Sequence, residues 1–305
     1  MAYTACVTGA TGFIATELIK QLLEKGYNVH ATMRNPDDAA RSAPLLALGE
    51  ALPGNLKLFQ ADLLQEGSFD AAVRGCRYVF HLASPFFIEA ADPQAQLIDP
   101  ALKGTTNLMG SVVRHKEGIR RVVVTSSVAA VKGMKPPPPK NGSTYSEDDW
   151  NDTSALDGEA YWLSKVLAER AAWELAKLHG IDLVTILPNF VMGPALSPAS
   201  AAGSTSIGFM KNLLEGQAPT GAPVFADVRD VARAHILAVE VPEAKGRYIV
   251  SQAFTTPPQL ISKWLQERFP QYEFEAGAEE KSLEEIDNTK VGTSVTAGLA
   301  AYGSF

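Results

Sequence analysis

Tyr161 and Lys165 stand four residues apart in the run Tyr161-Trp162-Leu163-Ser164-Lys165. On a helix, positions i and i+4 share one face. A phenol with an ammonium beside it can give and take a proton. The free phenol titrates near ~10, too high for efficient transfer at neutral pH. A neighbouring positive charge favours phenolate and lowers that value. Spacing alone favours an ordinary surface pair on an amphipathic helix. An upstream segment changes this. Arg121-Val122-Val123-Val124-Thr125-Ser126-Ser127 is an apolar strand that ends in hydroxyl residues. In a doubly wound sheet, strand C-terminal ends face the ligand crevice. A serine there can donate to a substrate carbonyl and polarise it. Ser127 is the candidate and Ser126 the alternate. A simple strand-end cap is the competing reading.

A second chemical feature lies near the N-terminus. Thr8-Gly9-Ala10-Thr11-Gly12-Phe13-Ile14-Ala15 follows a strand pattern and opens a helical one, the setting that a dinucleotide fingerprint requires. Gly9 permits the tight turn, and Gly12 lets the backbone approach a pyrophosphate on the helix N-terminus. An ordinary strand–helix turn is the bland alternative. The second strand supports the cofactor and selects its type. An NAD site places an acid at its tip, for the ribose 2′-hydroxyl. Here Val29-His30-Ala31-Thr32-Met33-Arg34 has none. Arg34 can fork onto a 2′-phosphate instead, which predicts NADPH/NADP. Arg41 is a possible second cation, or a solvated surface residue. Asp62 could receive the adenine amino group, or cap a turn.

These residues need a scaffold, and the pattern supplies one. Apolar strand runs at 4–8, 28–33, 56–60, 78–82, 121–125 and 182–187 alternate with helical patterns at 13–25, 36–48, 68–74, 94–116 and 159–179. The expected fold is α/β: a doubly wound parallel sheet covered on both faces. After Pro188 the pattern loosens. Residues 192–206, rich in Gly, Pro, Ser and Ala, read as a long loop. A helix at 228–240, a strand at 246–250 and an amphipathic helix at 260–269 follow. The expected organisation is a dinucleotide-binding domain at 1–192, rejoined by 223–250, and a small C-terminal substrate lobe from 193–222 and 251–305. The prolines at 136–139 make a stiff loop.

Bulk composition narrows the class. The chain has 305 residues, 46% hydrophobic and 20% charged, with a net charge of -7. That length supports one large core with a small added lobe. An acidic chain does not bind nucleic acid through its overall field. No apolar run approaches membrane-spanning length, and no secretory signal is legible. Cys6 and Cys76 lack metal-ligand spacing and read as buried reduced thiols of a cytoplasmic protein, with no metal site expected.

The ordered set Thr-Gly-Ala-Thr-Gly-Phe-Ile, Thr-Ser-Ser and Tyr-x-x-Ser-Lys resembles the extended short-chain dehydrogenase/reductases. The likeness is greatest to the branch of plant dihydroflavonol reductases and fungal NADPH-dependent aldehyde, ketone and methylglyoxal reductases, the fungal members looking nearest. Ala83-Ser84-Pro85-Phe86, Ser127-Val128-Ala129-Ala130-Val131 and Asp227-Val228-Arg229-Asp230-Val231-Ala232 carry the same stamp. The resemblance implies NADPH-dependent reduction of an aldehyde or ketone. Ser127 would orient the carbonyl, Tyr161 donate the proton, and Lys165 hold the nicotinamide ribose and lower the tyrosine pKa. It also implies cofactor contacts from Gly9, Thr11, Gly12, Phe13, Ile14, Arg34, Arg41, Asp62, Leu63, Ala83 and Ser84. Pro188, Val191 and Ser204 would join them. Phe86, Asn189 and Phe190 would line the substrate site with Ser127. The partner is a small carbonyl compound, and the assembly a monomer or homodimer.

Four departures from that branch stand out. Ala101 replaces an asparagine that many relatives carry before Gly104-Thr105 and that is thought to serve a proton relay. Lys132 replaces an asparagine of the plant flavonoid reductases, which argues against a dihydroflavonol substrate. The cinnamoyl-CoA reductase signature around the tyrosine is absent, and the sequence after Lys290 is short and rich in small residues. Two competing functions share the dinucleotide-binding fold, the first of them with NAD retained in place of NADP. A nucleotide-sugar epimerase or dehydratase would call for an acid after the second strand. A non-catalytic NADP-binding regulator would have no use for the intact Tyr–Lys pair.

Overall fold

The computed structural model describes residues 2–84, 91–140, 142–219, 221–275, 277, 281, 283 and 286–290. A seven-stranded parallel sheet forms its centre. The strands are β1 (Thr4–Thr8), β2 (Asn28–Met33), β3 (Asn55–Gln60), β4 (Tyr78–His81), β5 (Arg121–Thr125), β6 (Leu183–Pro188) and β9 (Gly246–Val250). Their order is β3-β2-β1-β4-β5-β6-β9. Residues alternate faithfully between the two faces. Ala5, Val7 and Val123 enter one core layer with α1 (Phe13–Glu24), α2 (Ala39–Ala51) and α8 (Val228–Glu240). Cys6, Val122 and Val124 enter the other, with α3 (Asp70–Val73), α4 (Asp99–Arg114) and α5 (Leu156–His179). A strand covered on both faces must be apolar throughout, so these runs stand out in the sequence. Edge strand β3 instead alternates between exposed and half-buried positions.

The order reverses between β1 and β4. Crossovers leave in opposite directions there and open a crevice at the strand C-termini. The glycine turn after β1, Ser84 after β4 and Ser127 after β5 all emerge on this rim. Strand β9 pairs with β6 from Val184↔Gly246 to Pro188↔Val250. Outside the main sheet, β7 (Phe190–Met192) and β8 (Phe225–Asp227) form a parallel pair. Helices α6 (Pro198–Ala202), α7 (Thr205–Leu214) and α9 (Pro258–Arg268) lie beside them. Leu213 of α7 and Ile261 and Leu265 of α9 form a separate small core.

Several boundaries differ from the sequence expectations. Residues 192–206 are not one loop, because they contain α6 and the start of α7. Ser197 accepts from Ser200 N and Ser204 from Ile207 N, so serines cap both helices. The helix expected over 94–116 begins with a π turn at Gln94–Ile98 and continues as α4. Helix α5 has non-helical backbone at Asp157, Gly158 and Glu159, and Tyr161 lies just beyond this kink. Helix α2 begins three residues later than expected, after Asp38. Among the described residues no helix is long and apolar enough to cross a membrane.

Candidate active site

Helix α5 brings Tyr161 and Lys165 to one face, as their spacing requires. Lys165 Nζ lies 5.4 Å from the centre of the Tyr161 ring. The ammonium donates to Ser84 Oγ at 2.8 Å. Lys165 is buried, and burial lowers its pKa from 10.5 to about 8. Desolvation raises the Tyr161 phenol from 10.0 to about 12, while a hydrogen bond with Ser127 pulls it back down. The expected lowering by Lys165 is not seen in this arrangement. Burial disfavours the phenolate more than the Ser127 hydrogen bond favours it.

The two serines after β5 have different partners. Ser127 adopts extended backbone and caps the short turn Val128–Ala130, its Oγ accepting from Ala129 N at 3.1 Å. The same side chain shares the hydrogen bond with Tyr161. Ser126 turns inward and donates to the buried carboxylate of Glu169 at 2.6 Å. Ser127 therefore stands beside the phenol, and Ser126 belongs to the protein interior.

The glycine turn is built for close approach. Gly9 has φ +71, and a Cβ there would lie 2.9 Å from Ala83 Cα. Gly12 caps α1 with extended backbone and no side-chain bond to the first-turn N–H groups. No acid stands in that first turn either. These N–H groups and the helix dipole suit an anion. Thr8 fixes the turn to the neighbouring strand. Its Oγ1 accepts from Leu82 N at 3.1 Å and Ala83 N at 3.0 Å, and lies 2.9 Å from His81 Nδ1. Both accepted bonds leave the hydroxyl proton for His81. Burial, helped by the Lys165 charge, lowers His81 to about 3, so a neutral ring accepts it.

Thr11, Phe13 and Ile14 are half-buried in the turn and the start of α1. Arg34 is exposed directly after β2. Arg41 is also exposed and pairs with Asp38 at 3.5 Å. Asp62 Oδ1 accepts from Leu64 N at 2.8 Å, so this side chain stabilises its own turn. Leu63 packs against Gly104, where an added Cβ would meet its Cδ2 at 2.6 Å. Pro188 ends β6, and Asn189 N donates to Val250 O at 3.3 Å. Val191 packs on the core. Phe190 meets Phe209 edge-on at 5.5 Å and Phe225 at 6.0 Å, an aromatic cluster between the β7–β8 pair and α7. Ser204 caps α7. Phe86 lies outside the described residues. A cavity of about 740 Å³ opens between this cluster, α8 and α9, with Met192, Phe225 and Trp264 among its walls.

Both cysteines are buried and free, and no metal-binding cluster occurs among the described residues. Sequence reasoning missed Glu169 and Arg247, which meet behind the site at 2.8 Å. A signal was present: Arg247 is a charge inside the apolar run Gly246–Val250, where only a buried partner makes it tolerable.

The comparisons with known proteins agree with the fold. Residues 5–251 match the family described as NAD dependent epimerase/dehydratase. The chain belongs to the NAD dependent epimerase/dehydratase family. An anthocyanidin reductase of Vitis vinifera is 41% identical over 282 residues, covering 88% of this chain and 82% of its own. A cinnamoyl-CoA reductase of Medicago truncatula is 42% identical over 270 residues, covering 87% and 80%. The crystal structure of yeast methylglyoxal/isovaleraldehyde reductase complexed with NADPH superposes with a TM-score of 0.81 at 28% identity, covering 96% of this chain and 93% of that one. The fungal likeness expected from sequence is thus present in the fold, while these plant reductases share the higher identity.

A dinucleotide fits the residues of this family member. Gly9, at positive φ and close against Ala83, holds the turn tight, and the start of α1, with no side-chain cap, can receive a pyrophosphate.

Proposed function

We propose that this protein is a carbonyl reductase: an NADP-dependent oxidoreductase of the extended short-chain type that converts an aldehyde or ketone to its alcohol. The observation that carries the reading is the convergence of Ser127 and Tyr161. Two hydroxyls that share a hydrogen bond can both donate to one carbonyl oxygen placed between them. Ser127 polarises that oxygen, and Tyr161 delivers the proton as negative charge builds there. Lys165 contributes a buried ammonium near the phenol and compensates the charge left on it. A bound NADPH would supply the hydride. Gly9, Thr11, Gly12, Phe13 and Ile14 would hold its pyrophosphate, and Arg34 its 2′-phosphate, with Arg41 released from Asp38 as a second cation. Asp62, Leu63, Ala83 and Ser84 would flank the adenosine and nicotinamide halves. Pro188, Val191 and Ser204 would border the nicotinamide.

The lobe from 193–222 and 251 onward would complete the substrate site over Asn189 and Phe190. Support for a carbonyl substrate comes from the yeast relative, named for methylglyoxal and isovaleraldehyde. The plant relatives are named as reductases too.

The test is NADPH oxidation, followed at 340 nm, over a panel of simple aldehydes, 2-oxoaldehydes and β-keto esters. The panel also includes an anthocyanidin and a cinnamoyl-CoA thioester. Turnover of a carbonyl compound is expected, with the alcohol as product. Turnover of the anthocyanidin alone, or of nothing while NADPH binds, would overturn the carbonyl assignment.

A further inference from the structure

Helix α5 carries a third functional-looking side chain on its inner face. Glu169 follows Lys165 by one turn and Tyr161 by two, and its side chain has no exposure. Three strands and α5 itself supply its partners. Ser126, at the end of β5, donates to Oε2 at 2.6 Å. Thr185 of β6 donates to Oε1 at 2.9 Å, and Trp173 Nε1 reaches the same oxygen at 3.3 Å. Arg247 of β9 completes the set, with Nε at 2.8 Å from Oε1 and Nη2 at 3.2 Å from Oε2.

Arg247 is equally constrained. Its Nη2 also donates to Ala130 O at 3.3 Å, and its Nη1 to Glu147 O at 3.0 Å. The guanidinium stacks 3.8 Å above the Trp150 ring. Asn151, next in the chain, donates through Nδ2 to Ala129 O at 2.8 Å. The ion pair therefore grips the chain on both sides of Ser127. Ser126, bonded to Glu169, precedes it, and Ala130, bonded to Arg247, belongs to the turn that it caps. The same carboxylate is rigidly part of the helix that bears Tyr161.

A buried ion pair is a poor source of stability, since desolvation offsets the attraction. Its advantage is direction: each planar group accepts partners only at fixed angles. Here those angles relate the end of β5 to α5, the two elements that carry the reacting hydroxyls. We propose that Glu169 and Arg247 are a positioning pair that sets the Ser127–Tyr161 hydrogen bond through Ser126 and the Ala130 carbonyl. The proposal rests on the assignment of Ser127 and Tyr161 as the orienting hydroxyl and the acid.

Two measurements test it. In the first, Ser126→Ala removes one arm of the pair without leaving a buried charge unpaired. Its kcat is expected to fall about tenfold, with KM and NADPH affinity within about threefold. In a Ser127→Ala background the same change should cost no more than about twofold, because its route of action is already gone. Equal losses in both backgrounds, or no loss, would overturn the proposal. The second needs no turnover. In protein labelled with ¹³C at tyrosine Cζ, the Tyr161 resonance is identified by its disappearance in Tyr161→Phe. It should move in both Ser126→Ala and Arg247→Lys, while Tyr3 and Tyr27, distant from the pair, stay fixed. An unmoved Tyr161 resonance in both variants contradicts the positioning role, even if no substrate has been found. Failure of the panel alone would instead count against the carbonyl assignment.

Discussion

Lys165 Nζ donates to Ser84 Oγ at 2.8 Å. This bond joins α5 to the segment after β4. That segment is tied to the glycine turn, because Thr8 Oγ1 accepts from Ala83 N at 3.0 Å. A continuous path thus runs from the glycine turn to the buried ammonium. Ser84→Ala is expected to weaken NADPH binding about three- to tenfold, the loss of one hydrogen bond to a charged group. Fluorescence titration with NADPH measures it, and Ser84→Thr should restore most of the affinity.

Lys165 also makes stability depend on pH. Its pKa falls from 10.5 to about 8 on burial, so the unfolded chain binds the extra proton between these values. Stability therefore rises with pH across that window, and the full penalty is present below pH 8. Lys165→Met should raise the thermal midpoint at pH 7, by an amount worth at most roughly 3 kcal/mol. The gain should vanish near pH 10.5, and turnover should be lost at every pH. Melting curves from pH 7 to 10.5 check the sign. A variant less stable than wild type at pH 7 would contradict it.

Gly9 tests the cradle. Its φ of +71 and the 2.9 Å approach to Ala83 Cα leave no room for a methyl group. Gly9→Ala is expected to destabilise the fold by about 1–3 kcal/mol. NADPH affinity should fall at least tenfold. Calorimetric titration separates the two effects, since a variant that is merely less stable keeps its affinity when folded.

Arg34 should determine coenzyme choice. It is exposed after β2, with no acid at the strand tip. Arg34→Ala is expected to raise the KM for NADPH about ten- to a hundredfold, as a charged hydrogen bond to phosphate disappears. The KM for NADH should change little. Equal changes for both coenzymes would rule out contact with the 2′-phosphate.

The sheet was legible because each central strand is buried on both faces and so reads as an unbroken apolar run. Tyr161, Lys165 and the glycine turn were legible because their spacing is local. Residues 192–206 were not, since Ser197 and Ser204 cap helices with the same side chains that mark loops. Nor was the Glu169–Arg247 pair, which joins residues 78 positions apart with no periodic trace. The choice between Ser126 and Ser127 needed the structure as well. Adjacent residues on a strand point to opposite faces, and only the packing shows which face holds Glu169 and which Tyr161. The pKa of Tyr161 depends on burial, which spacing does not reveal.

The most direct test of the central claim is Tyr161→Phe, assayed for NADPH-dependent carbonyl reduction and for NADPH affinity together. The substitution removes the phenolic proton and keeps the ring. A loss of about 10²–10⁴ in kcat with affinity unchanged is the predicted result. A variant that reduces the same carbonyl substrate at the wild-type rate would contradict the assignment of Tyr161 as the acid.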